Sequence, residues 1–333
     1  MPGRKETIGV DSAQDKSPSK AMVLAAGFGT RLRPLTELLP KPLVPLANRP
    51  LIHFAFAQLE KAGVRDVVVN SHHLGTKIPE TLGASHGLLR LSYSHEAEIL
   101  GTGGGLVQAR DRLESGPFFL LNGDVLSDVD LKAAWEHHRQ GNFAATMVVR
   151  PLPANSPYTA LEADDAGRLV TFKHHRLKPQ GATRPCMFCG IHILEPEVFD
   201  LLPEQGFSCI NNQAYGAMLD QEKEVGAFFY DGPWFDLGTP AHYLQANLDL
   251  VSGRVTTSHL PRGCDADPKG LLLGRDLQLG KDVRMGPEVV IGDEAIIGAK
   301  AQLRHCVVWP RSRIQDGEIL DHCIVTKTHR IQL

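Results

Sequence analysis

The stretch from Met22 to Leu46, MVLAAGFGTRLRPLTELLPKPLVPL, places two glycines, two arginines and a lysine directly after an apolar run. Gly27 and Gly29 allow a turn whose backbone N–H groups converge on an anion, and a helix after them would add its positive end. Arg31 can fork onto phosphate oxygens. Lys41, held between Pro40 and Pro42, brings a point charge on a loop of restricted freedom. A glycine turn with two positioned cations suits a polyphosphate. Neither familiar phosphate loop fits, because there is no G-x-x-x-x-G-K-[ST] and GFGTRL lacks the third glycine of the dinucleotide fingerprint. That argues against an NTPase motor and a dehydrogenase alike.

Two carboxylates complement the cations. Asp124 closes PFFLLNGD, and Asp236 lies in WFDLGTP ahead of a helix. Aspartates beside a polyphosphate are natural Mg²⁺ ligands, since that ion keeps several waters and borrows substrate oxygens. Each also has a structural alternative: Asn122-Gly123 as a turn with Asp124 as a helix cap, and Asp236 as support for a cap at Thr239. In EAEILGTGGGLVQA, glycines 101, 103, 104 and 105 open a helix, with Glu98 and Thr102 as hydrogen-bonding groups. Such a loop can read a flat base edge, or serve as a hinge. The CxxC of Cys186 and Cys189 lies in CMFCGIHIL, which reads as a buried strand; the SHH, EHH and KHH doublets have no metal-ligand spacing.

These groups need a scaffold that gathers them. AMVLAA and RDVVVN read as strands flanking the helix PLIHFAFAQLEKAG, which stops at Gly63. LRLSYS and PFFLLNGD read as further strands, with the helix GGLVQARDRLE between them and the helix DLKAAWEHHRQG after them. The expected product is a mixed, mostly parallel α/β sheet covered on both faces, with ligands at the carboxyl ends of its strands. YTALEADDAGRLVTF predicts a hairpin, CMFCGIHIL a strand, EPEVFDLLP a helix and VGAFFY a strand. Thr239 and Pro240 mark a helix start.

Beyond residue 255 aliphatic–glycine pairs recur every six residues, at Leu273-Gly274, Leu279-Gly280, Met285-Gly286, Ile291-Gly292 and Ile297-Gly298, with Leu303 keeping the period without its glycine. A six-residue period suits a triangular solenoid, each side giving one inward aliphatic and each corner a small residue. The run supplies about two coils, and CVVWPRSRIQDGEILDHCIV is a degenerate candidate for another. The expected organisation is a disordered tail over residues 1–19, an α/β domain over 20–255 and a solenoid over 256–333.

The 333 residues carry a net charge of −3 and 42% apolar residues. That charge gives no reason to expect a nucleic acid or an anionic membrane as partner. No apolar run approaches the ~18 residues of a membrane span, and the first twenty residues have no signal-peptide pattern, so a cytoplasmic protein is expected.

LAAGFGTRLRPLT, PKPLVPLANRPLI, EILGTGGGL, NGD and WFDLGTPAHYL, in this order, resemble the sugar-1-phosphate nucleotidyltransferases over residues 20–252. The C-terminal hexapeptides extend the likeness to members that carry a left-handed β-helix, the mannose-1-phosphate guanylyltransferases among them. The resemblance implies a Rossmann-like fold and the reaction of a nucleoside triphosphate with a sugar 1-phosphate to give a nucleotide sugar and pyrophosphate, with Mg²⁺. By matching motif, Leu24, Ala25, Ala26, Gly27, Gly29 and Thr30 would bind the nucleotide, with Glu98, Gly101, Thr102 and Gly103 facing the base. Arg31 and Lys41 would act on the phosphates, Asp124 and Asp236 would hold Mg²⁺, and Glu162 and Gly190 would lie near the sugar. FKHHRLKP lacks the family's usual sugar-contacting carboxylate. The LGTGGG form points to a guanylyl- or uridylyltransferase. A homo-oligomer is expected, and the solenoid is expected to support that oligomerisation or to pack against the α/β domain. A catalytically silent nucleotide-sugar-binding paralogue is the reading from another class, and a fused hexapeptide acyltransferase a third.

Overall fold

The computed structural model describes residues 17–257 and 266–333. The tail expected over 1–19 falls, up to residue 16, outside the described residues, as does part of the expected junction between the domains. Among the described residues no helix is long and apolar enough to cross a membrane.

The first strand, Lys20–Leu24, is central. It pairs in parallel with Asp66–Ser71 on one side and Phe118–Asn122 on the other, and Leu89–His95 extends the parallel half. Continuous apolar runs are required here because both faces are covered. Ala21 and Val23 pack on one side with the helix Ile52–Ala62, while Met22 packs on the other with Leu106 and Leu113. That helix ends where Gly63 takes φ +95°.

The second half is antiparallel around the long strand Thr183–Leu194. Its C-terminal part pairs with Phe118–Asn122, and its N-terminal part pairs with Leu161–Asp164, the first arm of the predicted hairpin. Ala145–Pro151 runs along the strand's other edge with a register shift, and Val225–Phe229 pairs in parallel with it. The change of partner falls at Gly190, whose φ of +88° no β-branched residue would accept. The sheet therefore splits beside the end of Phe118–Asn122. Cys186 and Cys189 are buried in this strand, and burial pushes both thiols up to about 12. Two expectations change: EPEVFDLLP forms a 3-10 helix over Pro196–Leu201, and the glycine turn leads only into a 3-10 turn, Thr30–Leu32. A single tight turn contributes little dipole, so positive charge at that turn must come from side chains.

The C-terminal region is a β-helix of short parallel strands. Leu271 pairs with Val289, eighteen residues on, whereas Val289 pairs with Cys306 and Cys306 with Cys323, each seventeen on. The coil shortens by one residue where Leu303 lacks its glycine, and the degenerate segment does form a further coil. The periodic glycines are not needed for φ. They sit where one coil's corner meets the next, and a Cβ at Gly298 would lie 2.4 Å from the backbone carbon of Gln315. Gly298→Ala is accordingly expected to destabilise the protein by about 1–3 kcal/mol, seen as a lower midpoint of urea unfolding. The left-handed corner residues are instead Asp276, Asp282, Glu288, Glu294, Lys300, His305, Arg311 and His322.

Alternation explains the uniformly apolar side LLL, VVI, CVV, CIV. Leu272, Val290, Val307 and Ile324 face the helix Pro240–Val251, whereas Val289, Ile291, Cys306, Val308, Cys323 and Val325 face the solenoid interior. Leu273 and Leu279, in the first coil, are about half exposed, at 45% and 51%, since no described coil lies beneath them. Thr239 caps the helix as expected, its hydroxyl accepting from the His242 amide at 3.2 Å. Polar bonds fix the docking of solenoid on sheet domain: Trp309 Nε1 donates to Tyr243 Oη at 3.0 Å, and Asn48 Nδ2 to the Ile291 carbonyl at 2.8 Å.

Candidate active site

A cleft of about 400 Å³ opens at the carboxyl ends of the parallel strands. Leu24, Asn70, Glu96 and Asn122, which end or follow those strands, line it together with Ala25, Ala26, Gly27, Gly29, Thr30, Arg31, Lys41, Gly101, Thr102 and Asp124. This is where an open α/β sheet leaves its loops free to meet a ligand.

The glycine turn holds Lys41 in place. Gly29 takes φ +61°, and a Cβ there would lie 2.8 Å from Thr36 Cγ2 and 3.3 Å from Lys41 Cβ. Thr36 Oγ1 donates to the Gly29 carbonyl at 2.9 Å, closing the loop on itself. Lys41 is thereby drawn under the turn, and only 8% of its side chain remains exposed. A Cβ at Gly27 would meet nothing within 4 Å, so its absence leaves the cleft open.

The carboxylates converge on that lysine. Lys41 Nζ lies 2.8 Å from Asp124 Oδ2 and 3.8 Å from Asp236 Oδ1. Asp124 reaches it because Gly123 passes the end of the first strand, its N–H donating to the Leu24 carbonyl at 2.9 Å. Asp236 ends the short strand Trp234–Asp236, paired with Val125–Ser127. Its Oδ2 accepts from the Arg31 guanidinium at 3.4 Å and from Tyr158 Oη at 3.3 Å. Burial, and then the Asp236 charge, raise the Tyr158 phenol above its usual range. Arg31 is 66% exposed and extends over the cleft. Two carboxylates within 4 Å of one ammonium show that a single cation can serve both, and an all-oxygen pair leaves room for waters and substrate oxygens. The donor set fits Mg²⁺.

Asn70 and Glu96 were not singled out in the sequence. Glu96 is fully buried and accepts from Asn70 Nδ2 at 2.7 Å and from the Leu100 amide at 2.9 Å, while Asn70 Oδ1 accepts from the Ala25 amide at 2.7 Å. This chain ties the glycine turn to the opposite wall. A sequence signal exists: Asn70, next to last in Asp66–Ser71, and Asn122, last in Phe118–Asn122, are polar residues at the carboxyl ends of apolar strands, where ligands bind.

The other predicted residues divide between the cleft wall and its surroundings. The glycines at 101, 103, 104 and 105 are packing devices, since a Cβ at Gly103 would lie 2.5 Å from Ser208 Oγ and one at Gly105 would lie 2.5 Å from Glu96 Oε1. Gly103 is buried in the helix Gly101–Gln108, and Thr102 Oγ1 accepts from the Ile210 amide at 3.0 Å while still bordering the cleft. Glu98 is exposed and outside the cleft lining. Glu162 also stands apart, accepting from Thr171 Oγ1 at 2.7 Å and lying 3.6 Å from Arg176, because its strand pairs with the N-terminal part of Thr183–Leu194, beyond the change of partner at Gly190. Gly190 borders the site, 3.2 Å from its would-be Cβ to Asn122 Nδ2. Trp234 stands nearby, its indole donating to the Cys189 carbonyl at 2.9 Å and its ring 5.4 Å from that of Tyr158.

The structure thus gathers a glycine turn, two cations and two aspartates in one α/β crevice at the strand ends. The chain belongs to the nucleotidyl transferase family, which it matches over residues 20–253. Among curated relatives it is 32% identical over 262 residues to the UTP–glucose-1-phosphate uridylyltransferase of Synechocystis, covering 73% of this chain and 66% of that protein. It is 34% identical over 230 residues to the mannose-1-phosphate guanylyltransferase catalytic subunit beta of Drosophila pseudoobscura, covering 68% and 61%. The mannose-1-phosphate guanyltransferase of Saccharomyces cerevisiae is 33% identical over 234 residues, covering 69% and 64%. The chain thus spans somewhat less than two thirds of the length of these relatives.

Proposed function

We propose that this protein transfers a nucleotidyl group from a nucleoside triphosphate to a sugar 1-phosphate, releasing pyrophosphate, with GTP and mannose 1-phosphate or a related sugar as the leading pair. The observation that carries this reading is the convergence of Asp124 and Asp236 on Lys41 at the mouth of the glycine cleft. Relatives named as mannose-1-phosphate guanylyltransferases support the choice of substrates. The uridylyltransferase relative supports a second reading, with UTP and glucose 1-phosphate or N-acetylmuramate 1-phosphate.

In the proposed reaction an oxygen of the sugar phosphate attacks the α-phosphorus, a new P–O bond forms, and the bond to the β-phosphate breaks with its electrons leaving on pyrophosphate. The attacking group is already anionic near neutral pH, with a second phosphate pKa of about 6, so no general base is needed. The demand is electrostatic and positional. Leu24 to Gly27, Gly29, Thr30, Gly101 and Thr102 are proposed to enclose the nucleotide, and Arg31 and Lys41 to orient the triphosphate. Asn122, Gly190 and Tyr158 would border the sugar. Asp124 and Asp236 would hold a divalent cation, Mg²⁺ foremost, which would supply neutralisation of the phosphate charge. The free cysteines among the described residues suit a reducing cytoplasm, and self-association through the solenoid remains part of the proposal.

Pyrophosphate release measured with GTP, UTP, dTTP, CTP and ATP against the 1-phosphates of mannose, glucose, N-acetylmuramate and heptose tests it. The leading expectation is one dominant combination, GTP with mannose 1-phosphate. Turnover only with UTP would select the second reading. Silence in every combination while nucleotide sugar still binds would overturn both and leave a regulatory binding protein.

A further inference from the structure

Away from the cleft, the solenoid gathers three side chains with metal-ligand chemistry. His305 and His322 occupy equivalent corners of consecutive coils, because Arg304 pairs with Asp321 and Cys306 with Cys323 on either side of them. Both histidines take the left-handed corner conformation, with φ of +49° and +51°. Adjacent strands lie about 4.8 Å apart, and the two imidazoles stack accordingly, with centroids 4.5 Å apart and 31° between their planes.

The two rings share one oxygen. Asp321 Oδ1 lies 2.8 Å from His305 Nδ1 and 3.0 Å from His322 Nδ1, and all three donor atoms are within 4.8 Å of one another. Arg304 donates to the other oxygen, Oδ2, at 2.8 Å and so orients the carboxylate from outside. The Gln332 side chain donates to the Asp321 carbonyl at 2.6 Å, and the Leu333 amide to the His322 carbonyl at 3.0 Å, which ties the last strand to the same corner. The three side chains are 27%, 35% and 53% exposed, so an ion can enter from solvent.

We propose that His305, Asp321 and His322 form a binding site for a borderline transition-metal dication, Zn²⁺ foremost, that cross-links the last coils and the C-terminal strand. Two imidazole nitrogens with one carboxylate suit Zn²⁺ and disfavour Mg²⁺ and Ca²⁺, which prefer oxygen. Donors about 2.0–2.2 Å from a tetrahedral centre lie about 3.3–3.6 Å from one another, so the ion would replace the 2.8 and 3.0 Å contacts by opening each a few tenths of an ångström, and a water completes the tetrahedron. The neutral rings then carry their protons on Nε2. Arg304 is 60% exposed, so solvent screens its charge.

The test is a Zn²⁺ titration of the full chain in excess Mg²⁺, comparing wild type with His305→Ala/His322→Ala and following both stoichiometry and thermal unfolding. Wild type is expected to bind one more equivalent than the double variant, and Zn²⁺ to raise its unfolding midpoint by about 2–8 °C, with no such rise in the variant. Asp321→Asn is expected to weaken the site at least about tenfold. Should the double variant misfold, His322→Ala, the most exposed of the three positions, provides the same comparison. Equal stoichiometry and equal midpoints with and without the histidines would overturn the site.

Discussion

Lys41→Ala is expected to lower kcat by about 10³-fold while leaving the fold intact. The ammonium is the only described cation in contact with both aspartates, at 2.8 and 3.8 Å. Its loss leaves Asp124 with solvent, to which 37% of its side chain is exposed, and Asp236 with Arg31. Neither carboxylate is therefore stranded, so the variant should melt close to wild type and its defect should be chemical. Lys41→Arg is not expected to rescue it. The Pro40–Pro42 loop and the contact with Gly29 leave room for a compact point charge and not for a planar fork. Pyrophosphate release at saturating substrates measures this, and a kcat within tenfold of wild type would remove Lys41 from the phosphate site.

The second large effect is expected at Asp236. Asp236→Ala should reduce kcat by about 10²–10³-fold, and Asp236→Asn should be nearly as poor. The comparison matters because asparagine still offers an oxygen to Tyr158, whose hydroxyl donates to Asp236 Oδ2 at 3.3 Å, and loses only the charge. If the asparagine variant works and the alanine variant does not, Asp236 serves to position Tyr158 and Arg31. If both fail, and higher Mg²⁺ partly restores the asparagine variant, the charge serves the metal. Steady-state rates over a Mg²⁺ series separate the two outcomes.

Much of the scaffold was legible because it depends on local pattern. The apolar run of Ala21 to Val23, the Gly63 stop, the Thr239–Pro240 start and the hairpin around Asp164 to Leu169 each follow from periodicity or from a residue's own backbone preference. The same approach missed Asn70 and Glu96. Their meaning comes from the Ala25 and Leu100 amides they satisfy, at 2.7 and 2.9 Å. The structure places Glu98 and Glu162 outside the cleft lining, which the sequence could not show, since a carboxylate in a suggestive segment looks the same whether it faces a cleft or a neighbouring threonine. The glycines at 101 to 105 looked like a ligand loop, and the structure gives them a packing reason against Ser208, Gly206 and Glu96.

By itself the sequence determined that a glycine turn with Arg31 and Lys41 follows a buried strand, and that a six-residue repeat winds a solenoid. Those are statements about neighbours along the chain, where sterics and hydrophobic period act directly. Only the tertiary structure decided that Lys41 meets Asp124 across 83 residues, that the coil shortens by one residue in its second turn, and that His305 and His322 share a carboxylate. Such contacts depend on strand order and coil stacking, which bring together atoms that no local spacing connects.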